Sequence, residues 1–174
     1  MDLVNLQNHG KDISQMVWGA IWIGGRSELV IMERDDQSPR NGYSTNSYIA
    51  ALEQGLVPVY EPGKVFQQDN ARIHVSGGMQ EWFERHGIWV PEWPPHSPDL
   101  NPIEHVWGKM KLKIMELYPQ IREAGRSQVD WTQFKEALQH AWWSIPQDYI
   151  DNLIYSMPRR LGAVRKAKGW YTKY

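Results

Sequence analysis

Apolar and polar positions change their period several times along the chain, and each change marks an element. Gln15 to Ile23 is dense in β-branched and aromatic residues, Gly24-Gly25 follows, and Leu29, Val30, Ile31 and Met32 make a second apolar run. Two such runs around a Gly-Gly turn predict a β-hairpin. Ser44 or Thr45 can cap a helix whose apolar face is Tyr48, Ile49, Leu52 and Leu56, closed by Pro58 and Pro62-Gly63. Lys64 to Gln68 reads as a buried strand that stops on Asp69, and Ile88-Trp89-Val90 reads as another. Between them, Ser76 can cap a helix carrying Met79, Trp82 and Phe83, with Gly87 as its stop.

From Pro102 onward the pattern is helical. Ile103, Trp107, Met110, Ile114 and Leu117 recur at spacings of 4, 3, 4 and 3. Asn101 stands at the cap position and Pro102 at the first helical position, where a missing N–H costs nothing. Asp130 is the expected cap of a second long helix with Trp131, Phe134, Leu138, Trp142 and Ile145 inward, and Gln147 to Met157 repeats the pattern. The order of hairpin, helix, strand, helix, strand and then helices predicts an α/β domain with a small mixed sheet. Residues 1–14 carry no pattern and read as an irregular lead, which leaves 15–174 as one domain.

Composition adds limits. A chain of 174 residues, 41% apolar and 22% charged, can bury a core within one domain. No apolar run approaches the roughly 20 residues of a membrane helix. No basic-then-apolar leader is visible, and with no cysteine there is no thiolate metal site. The expectation is an intracellular protein without a membrane partner. The net charge of −1 hides a division: residues 1–104 hold 7 Lys/Arg against 14 Asp/Glu, and residues 105–174 hold 12 against 6. An acidic part suited to cations beside a basic part suited to a polyanion is one reading. Two solvated surfaces of opposite sign is the other.

Asp69 and Glu104, separated by 34 residues, are the candidate metal ligands. Magnesium and manganese take hard oxygen ligands, often one or two protein carboxylates completed by water and phosphate. A carboxylate at a strand end can face one on the first turn of a helix across a cleft. Plainer roles compete: Asp69 as a turn residue, and Glu104 as the third-position partner of a capping box begun by Asn101. His74, His96 and His105 show no zinc spacing, and water positioning, phosphate contact or surface exposure are the expected roles.

The blocks Gln68-Asp69-Asn70-Ala71 with His74, and Trp93-Pro94-Pro95 with Ser97-Pro98-Asp99-Leu100-Asn101-Pro102-Ile103-Glu104 and Trp107, resemble the catalytic domain of mariner-superfamily DNA transposases of the acidic-triad (DDE) type. The nearest likeness is to fungal-type members, with glutamate as third acid. Met16 to Ile21 and the ending Met157-Pro158-Arg159-Arg160-Leu161 extend it over nearly the whole chain from about Lys11. The resemblance implies an RNase H-like mixed sheet with flanking helices, and three acids binding divalent Mg²⁺ or Mn²⁺. It implies attack by water, and then by a DNA 3′-hydroxyl, on phosphodiesters. Asp69 becomes the second acid and Glu104 the third. DNA, both transposon ends and target, becomes the partner, with a homodimer as the assembly to look for and the nucleus as the place of action. Lys109, Lys111 and Lys113, together with Arg159, Arg160, Arg165, Lys166 and Lys168 of a basic tail, become candidate phosphate contacts. A solvated helix face remains the alternative for the three lysines.

One departure from the family sets further expectations. The family's first acid ends a central strand upstream of the hairpin as an Asp-Glu pair. Here the only acids before Val17 are Asp2 and Asp12, neither followed by Glu. The chain therefore reads as a copy truncated at its N-terminus, lacking the central strand unless Asp2-Leu3-Val4-Asn5-Leu6 takes its place. The expected function is a transposase catalytic domain with impaired cleavage; a non-catalytic nucleic-acid- or protein-binding remnant is the alternative.

Overall fold

The computed structural model describes residues 2–6, 13–94, 97–123, 128–168 and 172, with side chains left undescribed at 2–6, 13, 122, 123, 128 and 129. The N-terminal half holds short strands: β1 (Asp2–Leu6), β2 (Ile13–Trp18), β3 (Ile21–Trp22), β4 (Gly25–Arg26) and β5 (Val30–Ile31). It continues through α1 (Thr45–Gly55), α2 (Arg72–Val75) and α3 (Met79–Arg85). The rest is helical: α4 (Pro102–Leu117), α5 (Gln128–Ser144), α6 (Gln147–Tyr155) and α7 (Met157–Lys166), with 3₁₀ turns at Pro98–Leu100 and Pro119–Glu123.

The predicted hairpin forms in two tiers. β2 pairs antiparallel with β5, Val17 opposite Ile31 and Trp18 opposite Val30, and between them β3 pairs with β4 across the Ile23-Gly24 turn. Gly24 there has φ +81, where a side chain would strain the backbone. Arg26 fastens this tip to the helices, donating to the carbonyls of Trp142 (2.7 Å) and Ile145 (2.6 Å) at the end of α5. The Trp142 carbonyl also accepts a long bond from the Ile145 N–H at 3.4 Å, and the guanidinium adds to it while complementing the helix dipole.

Successive residues of β2 point to opposite faces, and the interior divides accordingly. Val17 joins Leu29, Val106, Trp107, Met110, Ile114, Phe134, Leu138 and Trp142 in a cluster built by α4, α5 and α6. Trp18 joins Val30, Met32, Tyr48, Leu52, Met79, Trp82, Phe83 and Ile88 in a second cluster under α1 and α3. Both indoles Trp107 and Trp142 are fully buried and stack 5.3 Å apart, and a Cβ at Gly19 would lie 3.1 Å from Trp142.

Several expectations change. Residues 2–6 are not irregular: β1 pairs along β2 from Asp2 opposite Val17 to Leu6 opposite Ile13, giving a three-stranded sheet of order β1-β2-β5. Neither Lys64–Gln68 nor Ile88–Val90 is a full strand. They meet in a single parallel bridge, Val65 to Trp89, whose side chains are 51% and 61% exposed. No pairing among the described residues joins this bridge to the three-stranded sheet. α3 starts after Gly78 rather than from a Ser76 cap, and Ser76 ends the short α2. Asp130 lies inside the first turn of α5. The basic tail, to which no element was assigned, begins as helix α7 with Pro158 in its first turn.

Candidate active site

The two candidate carboxylates arrive by different routes. Glu104 rides on the first turn of α4, whose inward side buries Val106, Trp107, Met110 and Ile114. Asn101 stands at the cap position, but its side chain accepts nothing from the helix; its amide instead reaches toward Glu104 Oε1 at 3.4 Å. The capping-box role expected as the plainer reading therefore lacks its Asn101 half. Asp69 follows the Val65 bridge, and its Oδ1 accepts from the Ala71 backbone N–H at 3.1 Å, closing a tight turn into α2.

His74 grips that turn. Its Nδ1 lies 2.6 Å from Asp69 Oδ1 and 3.2 Å from the Asp69 carbonyl. A carboxylate only accepts, so Nδ1 carries the proton. The ring is 5% exposed and packs on Tyr48 with centroids 4.3 Å apart. Its Nε2 is buried without a protein hydrogen-bond partner among the described residues. Surface exposure, one role expected for this histidine, does not hold. The hydrogen bond from His74, aided by the Ala71 amide against a smaller effect of burial, holds the Asp69 carboxyl down at about 2. Asp69 is therefore an anion throughout the neutral range. Tyr48 donates to Gln68 Oε1 at 2.5 Å, and burial pushes its own hydroxyl well up.

Asp69 and Glu104 line one cleft of about 630 Å³. Its walls come from Trp18 to Ile23 on the sheet side and from Val65 to Gln68 on the bridge side, so the cleft opens where the two strand systems fail to join. His74, Tyr48 and Asn101 also face it. Two hard oxygen donors, one firmly ionised, suit a divalent cation of the magnesium type. Among the described residues no group of three or more His, Asp or Glu side chains is gathered closely enough to hold an ion. The donor set fits the metal's chemistry and could supply part of its shell.

The remaining predicted residues separate. Arg159, Arg165, Lys166 and Lys168 are exposed on or just after α7. Arg160 is 2% exposed and committed to internal acceptors, so its guanidinium is out of reach of a phosphate backbone. On α4, Lys113 is bound to Glu116 at 2.9 Å and Lys109 lies 5.8 Å from the Tyr149 ring centre. Lys111 is half-buried. Of the three histidines, His96 lies outside the described residues. His105 meets Arg160, and burial together with that guanidinium lowers its pKa. The grip of His74 on Asp69 was missed from sequence; its signal was the Asp-Asn-x-x-x-His spacing just after an apolar run.

The sequence profile of the DDE superfamily endonucleases matches residues 10–124. The Tcb1 transposase of Caenorhabditis briggsae is 44% identical over 110 residues, which is 63% of this chain and 37% of that protein. The Tc1 transposase of Caenorhabditis elegans is 41% identical over 112 residues, 64% of this chain and 38% of that protein. The matched stretch is thus less than half of these relatives' length. Among solved structures, the Mos1 transposase catalytic domain with raltegravir and magnesium superposes with a TM-score of 0.65 at 16% identity, covering 99% of this chain and 83% of that one. Its manganese counterpart gives 0.63 at 17%, covering 99% and 82%. That likeness shows the fold, an RNase H-like one.

Proposed function

The chain belongs to the DDE superfamily endonucleases, and on that footing we propose that it is the catalytic domain of a Tc1/mariner-type DNA transposase, with DNA as its substrate and Mg²⁺ or Mn²⁺ as its cofactor. The observation that carries this reading is the meeting of Asp69 and Glu104, with 34 residues between them in sequence, on one cleft. Relatives named as transposases, and a solved neighbour holding magnesium or manganese, support it.

The chain's own groups have distinct tasks. Asp69 and Glu104 are the ligands. A divalent ion held there would polarise a phosphodiester and help ionise an attacking hydroxyl. His74 fixes the rotamer of Asp69 and keeps it charged, and Tyr48 with Gln68 braces the segment that carries it. Arg159, Arg165, Lys166 and Lys168 supply sequence-independent phosphate contacts. The lysines of α4 add less, because Lys113 already has a carboxylate partner.

Cleavage by this chain is weak in this reading, since no third acid joins the pair among the described residues. Asp2 is the residue to watch: it opens β1 opposite Val17, and the cleft begins at the next residue of β2, Trp18. The same shortage favours the second reading, a DNA-binding derivative without chemistry. Incubation of the chain with pre-cleaved transposon-end DNA and Mn²⁺ separates the two. Slow strand transfer or nicking that disappears in Asp69→Ala supports the enzyme. DNA binding that weakens with salt, with no Asp69-dependent product, supports the derivative.

A further inference from the structure

The second arginine of Met157-Pro158-Arg159-Arg160 has the composition of a DNA contact and the surroundings of a structural pin. Arg159 is exposed while Arg160, the next residue of α7, is 2% exposed. The Arg160 Nε donates to Ser156 Oγ at 2.7 Å. Ser156 spends its own proton on the Leu153 carbonyl at 2.6 Å, which leaves its oxygen free to accept. Nη1 donates to the Asp99 carbonyl at 2.9 Å and to His105 Nε2 at 3.0 Å.

Those last two acceptors bracket the site. Asp99 lies in the 3₁₀ turn Pro98–Leu100 that delivers the chain to α4, and His105 follows Glu104 directly. Between them run the bonds that start the helix, Asn101 N–H to the Pro98 carbonyl at 2.9 Å and Glu104 N–H to the Asn101 carbonyl at 3.2 Å. Thr172 ties the same turn from the C-terminal side, donating to Asp99 Oδ2 at 2.8 Å. We propose that Arg160 is a positioning residue which grips the polypeptide on both sides of Glu104 and so fixes the direction in which that carboxylate meets the cleft.

The chemistry explains why arginine stands there. Its rigid planar fork serves three acceptors in set directions, whereas an ammonium on a flexible stem is a single compact point. Lysine would preserve the charge and leave at least one buried acceptor unpaired, which is costly. The pairing also fixes the histidine's tautomer: Nε2 accepts from Arg160, so the ring proton sits on Nδ1.

The bearing on catalysis rests on Glu104 being a metal ligand as proposed above, but the latch can be tested without it. Nitrogen-15 NMR of the full chain reads the His105 tautomer, and hydrogen exchange reads the amides of Glu104 and His105. Arg160→Lys is expected to shift His105 away from the Nδ1–H form and speed exchange at Glu104 about tenfold, the effect of losing one charged hydrogen bond. Arg159→Ala should change neither and lower DNA affinity. Should Arg160→Lys fail to fold, His105→Gln and His105→Leu replace it. Glutamine still offers an acceptor and should keep Glu104 protected; leucine should not. An Arg160→Lys chain with an unchanged His105 tautomer, unchanged exchange and weakened DNA binding overturns the latch in favour of a phosphate contact. Equal protection in the two His105 variants overturns it as well. Loss of Mn²⁺-dependent product in wild type, with the latch signals intact, counts against the function and not against the latch.

Discussion

Glu104 and Asp69 face one cleft from two differently built lobes. Glu104 stands on a 16-residue helix whose inner side is locked into the cluster of Trp107, Met110, Ile114, Phe134 and Trp142. Asp69 stands on a segment whose only ladder contact among the described residues is the Val65–Trp89 bridge, with both of those side chains largely in solvent. On the first lobe, apolar packing sets the backbone and polar contacts trim the direction of one carboxylate. On the second, the polar contacts themselves set the position: His74 on Asp69, Ala71 N–H on the same oxygen, Tyr48 on Gln68. The proposed metal-binding pair is thus assembled with one member held by burial and the other by hydrogen bonds.

That contrast breaks most severely through the shared packing of the first lobe. Trp142 is fully buried, stacks on Trp107, leaves a Cβ at Gly19 only 3.1 Å and donates to the Ser27 carbonyl at 2.9 Å. Trp142→Ala should cost about 3–5 kcal/mol, as aromatic truncations in cores do, read as a lower urea midpoint with an unchanged slope. On the second lobe the sharpest packing test is Gly55→Ala. Its Cβ would run into the ring of Trp18, itself 2% exposed, so a loss of about 1–3 kcal/mol is expected.

Weaker perturbations should separate the lobes rather than unfold them. His74→Leu removes the donor that fixes Asp69 while keeping the site filled. It should weaken Mn²⁺ binding roughly tenfold, in line with losses of outer-shell partners, and leave the far-UV circular dichroism unmoved; a matched His140→Leu at an exposed position of α5 should leave the affinity alone. Smaller still is a pH effect. The Asp69 carboxyl is held down at about 2, against about 3.9 when unfolded. Its contribution is therefore present above about pH 4 and lost as pH falls toward about 2. With the carboxylate side chain 54% exposed, screening keeps that contribution small. In His74→Leu the carboxyl carbon of Asp69 should titrate near the ordinary value in an NMR series, and an unchanged midpoint would show that the histidine does not hold it.

The same contrast decided how much could be read from sequence. The α4 pattern, with Ile103, Trp107, Met110, Ile114 and Leu117 at helical spacing, identified a helix because Trp107, Met110 and Ile114 are buried on one face, although Leu117 at its end is 38% exposed. The hairpin was legible for a similar reason, Gly24 marking its turn. Lys64 to Gln68 misled: a buried strand was expected, yet Val65 is half in solvent, with no neighbouring strand among the described residues over it. A strand at Asp2 to Leu6 was raised only as a substitute for the family's central strand, since the pairing of β1 depends on β2 and not on any pattern of its own. Composition failed at Arg160 too, because a count of basic residues says nothing about which side of α7 each one occupies. Asp69 and Glu104, singled out from sequence, line one cleft; the contacts of His74 and Arg160 around them required geometry.

Whether the two lobes share one ion is open to a single measurement. Mn²⁺ titrated into ¹⁵N-labelled chain broadens the amide signals of residues near the ion. The prediction is joint loss of the Ala71, Glu104 and His105 signals at the same Mn²⁺ concentration, with both groups restored together by either Asp69→Asn or Glu104→Gln. Loss on one lobe only, or loss of both groups that survives either substitution, would contradict a site shared between Asp69 and Glu104.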